Sequence, residues 1–232
     1  MLKERKWFEI CGNQMINSII DLSDRFSPVR DQGLRPTCLA FAISDAHSFA
    51  RDVPFQYLSP EYIFFFAAHR QALAGISYDH GIIPTNAWDA LRENGHPLEE
   101  HYPYRGFGAS DGLIAPPDPF PYPVYREQPV SHEALKEVVI GALESGNPAI
   151  IGIGLTEKFF EGIELIDDDG VAVVRGYHAI VAVGYGVSSF GSCCIKIRNS
   201  WGGAWGSAGY AWLSEEYIEN RLQWVATIGA AI

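Results

Sequence analysis

An α+β fold in two lobes is predicted, helical in its first half and strand-rich in its second, with a cleft between them. Three observations predict it. Residues 25–120 read as helices separated by loops and opened by capping signals. Residues 121–225 hold short apolar runs punctuated by Gly and Asp turns. Between the two textures lies APPDPFPYPVYREQP (115–129) with its six prolines, which must be extended because proline fixes φ and removes a donor.

The elements follow in order. In VRDQGLRPTCLAFA (29–42), Pro36 suits a helix start and LAFAISDAHSF continues as a helix with one apolar face, which places Cys38 in the first turn. Ser59-Pro60-Glu61 opens a second helix as cap, first position and acidic first turn. A third runs from Thr85 to Asn94 and stops at Gly95. After the proline-rich crossing, Ser131 is expected to cap a short helix ending near Gly146. The remaining runs read as strands: AIIGIGL, GVAVV, HAIVAVGYG, CCIKIRN, GYAWL and QWVATI. The acidic run Asp167-Asp168-Asp169-Gly170 lacks the alternating ligand spacing of a calcium loop and reads as a solvated turn. No cofactor and no metal site is expected.

Bulk properties bound the function. The chain has 232 residues, 47% hydrophobic and 13% aromatic, enough for one large core or two packed lobes. A net charge of −11 and a pI near 5.0 argue against nucleic acid or an anionic membrane as the main partner. No stretch approaches the roughly 20 apolar residues of a bilayer span. The first twenty residues mix charged and apolar types and do not read as a signal peptide, so the expectation is a cytoplasmic protein, or one exported without a recognisable signal. Cys11, Cys193 and Cys194 read as reduced thiols in a reducing compartment, the last two adjacent on a strand and pointing to opposite faces.

Cys38 differs from these three. A cysteine in the first turn of a helix meets the positive end of the macrodipole, which favours the thiolate. Two further fragments hold partners for it. His178 opens the apolar strand HAIVAVGYG, and Asn199 closes the strand before the glycine-rich loop holding Trp201 and Trp205. Taken singly, each is an ordinary structural residue. In this order, Gln32, Cys38, His178, Asn199 and NSWGGAWG (199–206), supported by LSPEY (58–62), YPY (102–104) and VGYG (183–186), resemble the papain-like cysteine peptidases over most of the chain.

The resemblance implies a helical left lobe, a β-barrel-like right lobe and one catalytic domain spanning residues 1–232. It also implies the roles. Cys38 attacks a peptide carbonyl, His178 shuttles the proton, and Asn199 orients the imidazole while Trp201 shields that bond. Gln32 and the Cys38 N–H form the oxyanion hole. Gly81, Ala179 and Trp205 fall at substrate-binding positions, and Ile82 and Ile83 join Ala179 around an apolar pocket. The implied partners are a protein or peptide substrate and a protein inhibitor or immunity partner.

Some features depart from the family pattern. Arg35 stands where a disulfide cysteine is usual, as in bacterial members with a related R-G-T-C motif; Leu39 replaces an aromatic, and Tyr177 precedes the histidine where Asp is common. No propeptide counterpart precedes Gln32, so the expectation is a branch lacking one, or a mature fragment. The same triad would serve a peptide ligase, a transglutaminase-like enzyme or a deamidase, and a non-catalytic peptide-binding module is the alternative from another class.

Overall fold

A computed structural model describes residues 8–11, 14–51, 55–106, 112–168 and 170–229. Three helices, α1 (Cys38–Ala50), α2 (Pro60–Leu73) and α3 (Pro84–Asp89), occupy the first half as expected. The Ser59 hydroxyl accepts from the Tyr62 N–H at 3.1 Å with Pro60 at the first position, the cap read from the sequence. A π-helical turn carries α3 on to Asn94, and Gly95, at φ +81°, ends it. One expectation fails: α1 is buried on every side from Leu39 to Phe49, including Ser44, Asp45, His47 and Ser48. It is a central helix wedged between α2 and the sheet, so its polar residues make interior bonds instead of facing water.

The strands are β1 (Phe8–Cys11), β2 (Gln14–Asp21), β3 (Val130–His132), β4 (Ala149–Leu155), β5 (Leu165–Ile166), β6 (Gly176–Ser188), β7 (Cys193–Arg198), β8 (Tyr210–Ser214) and β9 (Leu222–Thr227). They form one sheet in the order β3-β9-β4-β6-β7-β8-β5, with β2 added on β6 and β1 on β2. Among the described strands this path does not close on itself. Three short helices flank it: α4 (Lys136–Glu144), α5 (Glu157–Glu161) and α6 (Glu215–Arg221).

Four differences from the sequence reading have identifiable causes. β1 and β2 were not anticipated: β2 joins the sheet by pairing with β6, far along the chain, and β1 pairs with β2. β2 runs against β6 so closely that a Cβ at Gly184 or Gly186 would lie 2.5–2.6 Å from the carbonyls of Ile20 and Asn17. That approach is what the glycines of VGYG permit. Ser131 lies in β3 opposite Ala226, and Leu135 precedes α4 with no side-chain cap. GVAVV is a loop with Val171 and Val173 exposed, and the Ala172 carbonyl accepts from Arg221 Nη2 at 2.9 Å. Within the acidic turn, Asp168 is buried and ion-paired with Arg221. Asp169, like Cys11's side chain, lies outside what is described.

Strands β4 and β6 are buried on both faces and feed two cores. Ile150, Ala179, Val181 and Val183 pack with the helices. Ile151, Ile153, Ile180 and Ala182 pack with α4 and α6 residues such as Val139, Leu143 and Tyr217. The two-residue alternation of a strand therefore sends His178 toward one core and Ala179 toward the other.

Candidate active site

Cys38 is the first residue of α1, at the end of the loop that carries Gln32, Arg35 and Pro36. His178 comes near the start of β6, and Asn199 follows the last residue of β7, the antiparallel neighbour of β6. Strand pairing thus brings residues 21 apart in sequence into contact: His178 Nε2 and Asn199 Oδ1 are 2.7 Å apart, with both residues buried. Asn199 Oδ1 also accepts from the Ser200 N–H at 2.8 Å, so it is the acceptor and His178 Nε2 carries the proton. That leaves Nδ1 with a free lone pair. Asn199 Nδ2 is buried without a partner among the described residues. An orphan of this kind costs about 1–3 kcal/mol and marks a group held for its other end.

Trp201 covers this pair, its ring 4.8 Å from the imidazole. Phe159 meets Trp201 edge-on at 5.4 Å, and Phe160 stacks on its outer face at 5.5 Å. The two phenylalanines of α5 were not anticipated. Nothing in TEKFFEG signals a contact made only once α5 folds beside the loop after β7.

Cys38 and His178 line one cavity of about 310 Å³. Gly81, Ile82, Ile83 and Ala179 line it, and so do His80, Gly152, Tyr177 and Trp224. Trp224 matters for its shape: a Cβ at Gly152 would lie 2.1 Å from the indole nitrogen, so the ring packs against the β4 backbone in space that only a glycine leaves. Gly81 holds φ +111°, with its N–H bonded to the Tyr78 carbonyl. Buried Gln71 of α2 reaches the Gly81 carbonyl at 3.3 Å and the Ile83 N–H at 2.7 Å, holding this wall. Trp205 is placed elsewhere. It is buried beneath Trp201, donates to the Phe159 carbonyl at 3.1 Å and belongs to the core packed with α6.

Gln32 is buried, and both ends of its amide are tied. Nε2 donates to the Arg35 carbonyl at 2.9 Å, and Oε1 accepts from Ser200 Oγ at 2.6 Å. One Nε2 hydrogen remains uncommitted. Ser200 thus links the Gln32 loop to Asn199, a role the sequence did not suggest.

The electrostatics differ from a preformed ion pair. Burial pushes the Cys38 thiol up, and the backbone N–H groups of Ala179, Leu39 and Cys38 pull it the other way. Burial brings His178 down to about 4, against the Asn199 bond. Each group taken singly is neutral near pH 7. A thiolate–imidazolium pair is reached by moving one proton between them, which leaves the net charge unchanged.

The helical and sheet halves meet behind the site through charge. Arg198, next to Asn199 and 1% exposed, donates from Nε to Asp45 of α1 at 2.7 Å. Arg30 donates to the other Asp45 oxygen at 2.9 Å and to Glu99 at 2.6 Å.

Residues 18–224 match the family model described as papain family cysteine protease. Cathepsin K of Gallus gallus is 32% identical over 195 residues, covering 81% of this chain and 55% of that protein. Germination-specific cysteine protease 1 of Arabidopsis thaliana is 29% identical over 191 residues, 79% of this chain and 48% of its own. The chain therefore spans about half the length of the curated relatives it matches. Among solved structures, xylellain, a cysteine protease from Xylella fastidiosa, superposes with TM-score 0.74 at 21% identity, covering 100% of this chain and 94% of its own. A Carica candamarcensis cysteine protease in complex with E-64 gives 0.68 at 21% identity, covering 92% and 98%. The structural matches carry the fold, and the family match over most of the sequence carries membership: this chain belongs to the papain family of cysteine proteases.

Proposed function

We propose that the chain is a cysteine peptidase that hydrolyses peptide bonds through Cys38, His178 and Asn199. The observation that carries the reading is the buried His178–Asn199 bond at the edge of a cavity that also contains Cys38. Asn199 holds the imidazole with Nε2 protonated, so Nδ1 accepts the Cys38 proton as Sγ attacks the substrate carbonyl. The ion pair forms in a site where neither charge is stable alone, which makes proton transfer and attack interdependent. The uncommitted Gln32 N–H and the Cys38 N–H receive the developing oxyanion. His178 then protonates the leaving amine, and later takes a proton from the water that releases the acyl group. Trp201, backed by Phe159 and Phe160, keeps water off the His178–Asn199 bond. The apolar cavity beside Ala179, floored by Trp224, receives an aliphatic or aromatic side chain of an extended peptide.

The test is N-terminal profiling of a proteome digested by wild type and by Cys38→Ala, with iodoacetamide labelling mapped by mass. New N-termini with the wild type alone, and labelling at Cys38 before Cys193 or Cys194, are expected. Crosslinked or ligated products, or a one-dalton shift of side-chain amides, would reassign the acyl acceptor or donor. A Cys38→Ala protein that still cleaves would remove the nucleophile, and a wild type that binds peptides without altering them would make it a binding module.

A further inference from the structure

Arg35, at the position where the family resemblance leads one to look for a disulfide cysteine, forms a fork to Glu61. Its Nη1 meets Glu61 Oε2 at 2.5 Å and its Nη2 meets Oε1 at 2.9 Å. Glu61 is 4% exposed in the first turn of α2, and its Oε2 also accepts from the Arg105 N–H at 3.3 Å. The Arg35 guanidinium lies between two rings, 5.3 Å from the centroid of Phe64 and 5.0 Å from that of Tyr104. From Tyr104 the network returns to the loop: its hydroxyl donates to the Gln32 carbonyl at 2.7 Å and meets Thr37 Oγ1 at 2.9 Å. The Arg35 carbonyl in turn accepts the Gln32 amide, and the Thr37 N–H at 2.8 Å.

We infer that the Arg35–Glu61 pair, with Tyr104, positions the Gln32 amide, in place of a covalent tie, by holding the Arg35 carbonyl that takes one Nε2 hydrogen so that the other is aimed at the oxyanion. The reasoning is geometric. A glutamine side chain has three rotatable bonds, and only partners at both ends fix the plane of its amide. Ser200 supplies one partner, and the Arg35 carbonyl supplies the other. That carbonyl belongs to an exposed loop containing Gly33 and Leu34, so its position depends on the side chain of the same residue being anchored on α2. A planar guanidinium bound by two parallel hydrogen bonds fixes orientation as well as distance, which a single ammonium contact does not. The loop is also bound at Gln32 itself, whose N–H donates to the Ser200 carbonyl at 2.8 Å, so the clamp acts on the segment 33–37 that would otherwise pivot.

This inference rests on the peptidase reading, and the experiment separates the two. Alkylation of Cys38 by iodoacetamide needs the thiolate and no oxyanion donor, whereas hydrolysis of a fluorogenic peptidyl amide needs both. In Glu61→Gln and Arg35→Lys, kcat is expected to fall about 10- to 100-fold, the scale of a weakened oxyanion donor, with alkylation rate within about twofold of wild type. Tyr104→Phe, which keeps the ring and the ion pair, should fall less and serves if the charge variants do not fold. In a Gln32→Ala background none of the three should cost further activity. Equal losses in hydrolysis and alkylation, undiminished losses in the Gln32→Ala background, or unchanged kcat in the folded variants would each overturn the inference while the peptidase reading stands. A wild type that alkylates at Cys38 yet cleaves nothing would overturn both.

Discussion

The loop before α1 and the imidazole of His178 are held by different means. Around Gln32 the anchors are charged: Arg30 to Asp45 and Glu99, and Arg35 to Glu61. Around His178 they are neutral: one amide oxygen, the ring of Trp201, and the edge of Phe159 at 5.9 Å. Under the proposed peptidase reading, the difference follows from what each region must do. A group that only donates a hydrogen bond keeps its charge throughout, so permanent ions can fix it in place. A histidine that gains and loses a proton would be locked in one form by a neighbouring full charge. A neutral partner leaves both forms accessible.

Breaking the charged side should have the largest effect on stability. Asp45→Asn leaves Arg198 and Arg30 facing a neutral amide in the interior, and chemical denaturation should show a loss of roughly 3–5 kcal/mol. A loss under 1 kcal/mol would mean that the link between α1 and β7 does not depend on charge.

The neutral side should show itself in acid. Burial holds His178 and His47 down to about 4, His47 also facing Arg51, and holds His96 well below its ordinary value, with His47 beside it. The sign follows directly: between about 6.5 and 4 the unfolded chain binds these protons and the folded chain does not. Stability that is complete above 6.5 is therefore lost as pH falls through this window, by an order of 3 kcal/mol for each of His178 and His47. Thermal midpoints measured from pH 7.5 to 4.5 should drop steadily, and His178→Ala should make the profile shallower. A flat wild-type profile would contradict the neutral burial.

A smaller effect sharpens the comparison within the site. Asn199→Ala and Trp201→Ala should each lower kcat/KM tenfold or more, about 1.4 kcal/mol of transition-state stabilisation. The double variant should lose less than the sum, since the ring protects the bond that the amide makes. Additive losses would mean that Trp201 acts apart from Asn199. The smallest expected effect is none: among the described residues Cys38, Cys193 and Cys194 form no disulfide, and reductant should leave the thermal midpoint unchanged. A fall of several degrees would require a disulfide.

Legibility differed from residue to residue. Cys38, His178 and Asn199 were singled out by their order with Gln32 and NSWGGAWG and not by any one local pattern, and the structure places His178 against Asn199 and on the same cavity as Cys38. Ser59 and Gly95 could be read as helix ends from local pattern, since capping depends on neighbours in sequence. Ser131 misled because the signal for a cap is also compatible with a strand, and pairing with β9 prevailed. GVAVV misled because β-propensity is a statement about fitting a paired, half-buried surface, and Val171 and Val173 are exposed.

The sequence by itself determined the order of the elements, the spacing of Gln32, Cys38, His178 and Asn199, and the family, all of which rest on local patterns and their order along the chain. Only the tertiary structure decided what surrounds those residues: Glu61 beneath Arg35, Ser200 against Gln32, Phe159 and Phe160 on Trp201, Trp224 across Gly152. These contacts join residues distant along the chain, and neither partner's local pattern names the other. Burial was decided there too. A helix N-terminus favours a thiolate on paper, but how far α1 is enclosed by β6 sets the balance between that dipole and desolvation, and the enclosure exists only in the folded chain.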